Sequence, residues 1–177
     1  MNTNGLDKDI LAGSRIKLMR ERLLMSSKAF SKATGIPVTT INRIENGIES
    51  YDVHKLTPIC NFFGINREDL YKSDFEIPEW RALISKMKKL HKPGSNPYTY
   101  IFTKTPKLPM VIEQILLKED VLDDYVQVKD VMKFLSEKCN WEYLSSSITN
   151  ALNKFVENGE IESKQVSSSL FKYRRKR

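Results

Sequence analysis

The 177-residue sequence is poor in the features that mark several large protein classes. No apolar run approaches the roughly 20 residues that a membrane helix needs, and Met1 to Asp9 is polar where a secretion signal would carry an apolar core. Cysteine occurs only as Cys60 and Cys139, far apart and in apolar or helical surroundings, so buried thiols are expected rather than a disulfide. These scarcities point to a reducing, cytoplasmic setting with no membrane contact. Histidine is limited to His54 and His91, neither cysteine has metal-ligand spacing, and no glycine-rich phosphate loop is present. With no catalytic constellation to assemble, the chain reads as a non-enzyme without metal or cofactor, and His54 as a helix-surface residue.

What the sequence does have is basic charge. Lys and Arg number 29 against 22 Asp and Glu, a net of +7, which favours an anionic partner such as nucleic acid or an acidic membrane surface. Dividing at Ile77 and Leu108, where composition changes, localises it: 11 basic against 10 acidic residues over 1–77, 7 against 1 over 78–108, and 11 against 11 over 109–177. The near balance of the first part conceals a basic centre, because Leu11 to Ile48 holds only Glu21 and Glu45 as acids. At the C-terminus, Lys164, Lys172, Arg174, Arg175, Lys176 and Arg177 follow Glu162 with no further acid. Three basic stretches suit a surface that follows a phosphate backbone.

Residues 1–77 carry five helical signals. Ile16, Met19 and Leu23 recur at helical spacing after Ser14, a plausible N-cap, giving a first helix to about Leu24. Ser26 caps a second, with Phe30 and Ala33 inward and Gly35 at the turn. The third opens at Pro37, tolerated in a first turn, and turns Ile41 and Ile44 inward. Its outward positions are Val38, Thr39, Asn42 and Arg43, with Thr40 and Asn46 at the edges. Such short hydrogen-bonding side chains with one Arg form a face that can enter a major groove. It ends at Gly47. A fourth helix, capped by Asp52, carries Val53, Leu56, Ile59, Phe62 and Phe63, and a short fifth starts at Asn66 with Glu68 and Asp69 in its positive first turn.

The stretch GSRIKLMRERLLMSSKAFSKATGIPVTTINRIENGIES, followed by LTPICNFFGINREDLY, resembles the helix-turn-helix family of Cro and the phage repressors, the XRE type. The resemblance covers about residues 11–73 and rests on Arg20, on the small Ser31 and Gly35, and on the ending Ile44-Glu45-Asn46-Gly47. It implies that Ser27, with Ser26, Lys28 and the amides around them, approaches phosphate, while Val38, Thr39 and Arg43 meet bases. It also implies a structural ion pair between Arg20 and Glu45. Three residues depart from the pattern: Ser27 replaces the usual Gln, Pro37 takes the place of a Ser N-cap, and Pro58 falls inside the fourth helix, where it should cause a bend.

Residues 78–108 read as a basic linker with a helix around Trp80 to Leu90 and a break at Lys92-Pro93-Gly94-Ser95-Asn96-Pro97. Tyr98, Tyr100 and Phe102 then alternate with Thr99, Ile101 and Thr103, a strand signal. Those aromatics suit a packed strand, a subunit contact or stacking on exposed bases. Residues 109–177 read as helices over Met110 to Leu117, Val128 to Cys139 and Leu144 to Asn158, then a hairpin turning at Gln165 to Ser169. In the third of these, Leu144, Ile148, Ala151, Leu152 and Phe155 form one apolar stripe.

Three helices followed by a hairpin resemble a winged helix, with VENGEIES and FKYRRK as the helix end and wing. The fold class is then mainly α: a five-helix helix-turn-helix domain, the basic linker with its short strand, and a winged-helix-like α+β domain. The resemblance would turn Ser146, Thr149, Asn150 and Asn153 toward a groove and Lys172, Arg174 and Arg175 toward phosphates, a candidate second DNA surface. A helical module for dimerisation or partner binding fits the same pattern. Glu119, Asp120, Asp123 and Asp124 suit DNA poorly, so their loop should point away.

Two functions remain open at this level. One is a transcriptional regulator that binds double-stranded operator DNA as a homodimer on a symmetric site. The other is an interaction protein, an adaptor or antitoxin-like chain, whose C-terminal domain grips a protein partner while DNA binding is secondary.

Overall fold

The first helix buries one stripe, Ala12, Ile16 and Met19, at the spacing of a helix face, and Leu23 just beyond its end continues it. In the computed structural model, which describes residues 3–48 and 53–176, this helix, α1, spans Thr3–Arg22. It starts well before the expected Ser14. The Ser14 hydroxyl donates back to the Leu11 carbonyl at 2.8 Å instead of capping free amides. That bond is the usual mid-helix alternative for serine. Gly47 explains why the added turns can lie where they do, since a Cβ there would stand 2.9 Å from the Ile10 Cα.

The chain falls into two compact units, Met1–Lys104 and Thr105–Arg177. In the first, α1 is followed by α2 (Ser27–Thr34), α3 (Val38–Glu45), α4 (Val53–Phe63) and a 3-10 turn over Arg67–Tyr71. α4 is continuous through Pro58, and its expected cap Asp52 lies outside the described residues. Asn66 forms a capping box with Asp69, whose carboxylate accepts from the Asn66 amide at 3.2 Å. The core joins Ile16, Met19, Ile41, Ile44, Leu56, Ile59 and Leu70 around three rings. Phe30 meets Phe62 at 5.1 Å and Phe63 at 5.5 Å between centroids, distances at which edge and tilted ring pairs attract.

This core does not stop at Ile77. α5 (Trp80–Leu90) contributes Leu83 and Met87, and the segment after it contributes Ile101. Most of the stretch expected to be a linker therefore packs inside the first unit. Its expected strand is a correction: α6 (Asn96–Tyr98) continues into a wide π-type turn over Thr99–Thr103. The strand pattern lacked a neighbour with which to pair, whereas the helix had a start signal. The Ser95 hydroxyl accepts from the Tyr98 amide at 3.4 Å, and Pro97 occupies the first turn. Tyr98 and Phe102 then stack at 4.7 Å, four residues apart.

The second unit contains α7 (Leu108–Val111) running into a π-type turn (Ile112–Leu116), a 3-10 turn (Asp120–Leu122), β1 (Val126–Gln127), α8 (Val128–Cys139), α9 (Ser145–Glu157), β2 (Ile161–Ser167) and β3 (Leu170–Arg175). The helices match expectation in place and order, and the hairpin turns where expected. β1 carries no sequence signal, being two residues long, yet it completes a small antiparallel sheet of order β1-β3-β2. Val126 pairs with Tyr173 on one side of β3, and Ser163 pairs with Tyr173 on the other. Val111, Ile115, Leu122, Val131, Leu135, Ile148, Leu152 and Tyr173 are buried.

Candidate nucleic-acid interface

Residues 26–46 form two short helices joined by three residues. Ser26 is the N-cap of α2, its hydroxyl accepting from the Ala29 amide at 3.2 Å. The amides of Ser27 and Lys28 remain at a helix start, where no intrahelical acceptor exists and an anion is favoured. Lys28 is exposed and Ser27 half-buried. Gly35 ends α2 with φ 77°, a left-handed conformation that a Cβ would strain. Ile36 is buried beyond it, which pins the turn to the core. Pro37 then takes the N-cap position of α3 and makes no side-chain cap bond.

α3 buries Ile41, Ile44 and Glu45. Thr39, Asn42, Arg43 and Asn46 are exposed, and Val38 and Thr40 are half-buried beside them. Spacings of three and four place the exposed residues on one stripe. Asn46 turns its amide back to the Asn42 carbonyl at 2.7 Å, closing the stripe at the helix end.

An ion pair holds this helix from behind. Arg20 donates through Nε and Nη2 to the two carboxylate oxygens of Glu45, at 2.6 and 2.7 Å. The side chains retain 6% and 4% of their exposure, so the pair is a desolvated bidentate fork. Nη1 also donates to the Met25 carbonyl at 2.6 Å, which ties in the turn between α1 and α2. Leu24 in that turn has φ 57°, a conformation that a leucine keeps only when its surroundings impose it. Burial works to lower the Arg20 pKa, but the bonds and attraction to Glu45, with help from Glu21, outweigh it and hold it above the ordinary value. One cation thereby joins α1, the turn and α3.

In the second unit, Ser146, Asn150 and Asn153 are exposed on α9 and Thr149 is half-buried. The Thr149 hydroxyl donates to the Ser145 carbonyl at 2.9 Å, and the Tyr173 hydroxyl donates to Asn153 Oδ1 at 3.0 Å. The expected basic residues divide. Arg174 is bonded to Glu162 and lies 4.6 Å from the Tyr125 ring centre. Arg175 stands 2.6 Å from Asp123 and donates to the Leu117 carbonyl at 3.0 Å. Lys172 instead lies directly across from Lys164 in the hairpin, a like-charged pair that costs stability without an anion nearby. The sequence reading missed these partners of Arg174 and Arg175, because nothing local marks contacts 12 or more residues away.

Among the described residues, no helix is long and apolar enough to cross a membrane, and no group of His, Cys, Asp and Glu stands ready to hold a metal. Cys60 is a buried thiol, its pKa pushed up by burial, and Cys139 is a half-buried one.

Residues 16–70 match the helix-turn-helix family model. That span contains α2, the Gly35 turn, α3 and both members of the buried ion pair. Residues 16–70 thus form a helix-turn-helix domain, in keeping with the Cro-type resemblance. The match supports DNA binding by this domain in general terms. Over 104 residues the chain is also 28% identical to glutamine–fructose-6-phosphate aminotransferase (isomerizing) of Methanocaldococcus jannaschii. The similarity takes in 58% of this chain and 8% of that protein, too small a share to bring that activity to the helix-turn-helix protein. No solved structure matches the chain.

Proposed function

We propose that the protein is a sequence-specific transcriptional regulator that lays α3 in the major groove of its operator. Val38, Thr39, Asn42 and Arg43 read base edges, with Thr40 and Asn46 at the margins, while Ser26, Ser27, Lys28 and the amides at the start of α2 receive a phosphate. The observation that carries this reading is the exposed stripe Thr39-Asn42-Arg43-Asn46 on a helix held from behind by Arg20 and Glu45. A homodimer would set two such helices about 34 Å apart on a symmetric site. Selection of bound sequences from random DNA tests it. The native chain should yield one symmetric motif, and Arg43→Ala should relax a single position in each half. Recovery of unenriched DNA by the native chain would end the base-reading proposal.

For the second unit, the order of three helices, a short strand and a hairpin supports a winged-helix-like reading, with Ser146 and Asn150 on a groove-facing α9. Because Arg174 and Arg175 already have internal partners, phosphate contact there falls to Lys164 and Lys172. A protein-binding role is favoured by a different observation: Leu144, Val166 and Phe171 are 74%, 52% and 39% exposed, more apolar surface than a polar groove needs. The double variant S146A/N150A separates the two. A shortened selected motif supports DNA contact, and an unchanged one supports a protein partner.

A further inference from the structure

We infer that α5 and α6, with the wide turn that follows, form an accessory clamp that grips the DNA phosphates flanking the operator, as a lysine strip continuing from the outer face of α2. The inference rests on the reading of α2 and α3 given above and adds a surface to it. The strip can be followed contact by contact. Lys28 and Lys32 are exposed one turn apart on α2. The Lys32 carbonyl accepts from the Asn96 side-chain amide at the start of α6. Lys92 begins the turn into α6, its carbonyl accepting from the Ser95 amide at 3.0 Å. From α6 the Tyr98 ring meets Phe102, and Lys88 of α5 stands 5.7 Å from the Phe102 ring centre. Lys104 stands 4.3 Å from the Tyr100 ring centre.

Charge argues for the occupant. Residues 78–108 hold seven basic residues and one acid, Glu79. That carboxylate lies 3.1 Å from Arg22 at the head of α5, away from the lysines of its last turns. An aromatic face attracts an ammonium but does not neutralise it, so the rings position the two ammonium groups while their charge stays available. Tyr100 and Phe102 also pack against the first unit's core, which makes them supports for cations rather than platforms for unstacked bases. A row of uncancelled cations fits a polyanion with one negative charge per about 1.7 Å of axis. The row abuts the helix whose opposite end is assigned to phosphate, so duplex DNA beyond the half-site is the partner within reach.

The test compares the full chain with K88Q/K92Q/K104Q on two duplexes, one trimmed to the selected operator and one with about ten further base pairs on each side. All three changes lie on the surface, and circular dichroism checks that the fold is kept. On the long duplex, the slope of log affinity against log salt should fall by up to about 2.7, from about 0.9 per phosphate contact. On the trimmed duplex the two proteins should be much closer, and the selected base preference should be the same. K88R/K92R/K104R should retain the native slope. An unchanged slope on the long duplex, in a variant that still prefers operator sequence, overturns the clamp and leaves the α3 reading intact. A native chain without sequence preference counts instead against α3, and the slopes on the two duplexes then decide the clamp separately.

Discussion

α3 and α9 present similar outer faces of short polar side chains, Thr39 and Asn42 on the first and Ser146 and Asn150 on the second, but the two units stabilise those faces differently. Behind α3 lies a buried bidentate ion pair that also holds the turn before α2. Beside α9 the arginines of β3 pair at the surface with Glu162 and Asp123. The difference is one of dielectric. A desolvated fork strongly penalises loss of either partner, whereas exposed pairs trade water for little gain. The lesson is that the first unit fixes its outward helix in orientation, while the second spends its cations on holding its own hairpin together.

The largest expected effect breaks that comparison at its root. Arg20→Met leaves the Glu45 carboxylate buried without its partner, and should lower unfolding stability by about 3–5 kcal/mol in denaturant titration. A loss below about 1 kcal/mol would make the two units alike. Next, Arg43→Ala should weaken operator binding by about 1–3 kcal/mol and relax one base position, read by titration with labelled duplexes. Its counterpart on the other unit, Asn150→Ala, sharpens the contrast if operator affinity stays put. Ser26→Ala removes the α2 cap bond and should destabilise by about 0.5–2 kcal/mol, with a matching loss in phosphate affinity if the start of α2 binds the backbone. Smallest of all, Glu162→Gln should leave the thermal midpoint within experimental scatter, as surface pairs do. A clear drop there would mean that the hairpin pair matters as the buried one does.

Much of the fold was legible because local rules and tertiary packing agreed. Ser26, Gly35 and the Ile41–Ile44 spacing fix α2, its turn and α3 almost without reference to the rest of the chain, and Val128 to Cys139 emerged as α8 over the same residues. The readings that failed were those in which two local signals competed. Tyr98 to Thr103 alternates as a strand would, but the Ser95 cap and the Tyr98–Phe102 pair favour a helix, and Ile101 had a core to enter. Ser14 looks like a cap, yet the helix passes through it. For the candidate site, the exposed row on α3 could be read in advance, whereas the internal partners of Arg174 and Arg175 could not.

The sequence by itself determined most of the helices, the left-handed turn at Gly35, and the basic surplus over 78–108, because capping, glycine's missing Cβ and charge are properties of residues and their near neighbours. Only the tertiary structure decided that α5 and the wide turn belong to the first unit, that Lys88 and Lys104 stand over the rings of Phe102 and Tyr100, and that two arginines of the hairpin have internal partners. Those outcomes depend on which surfaces meet after the chain has folded back over tens of residues. No local pattern encodes that distance.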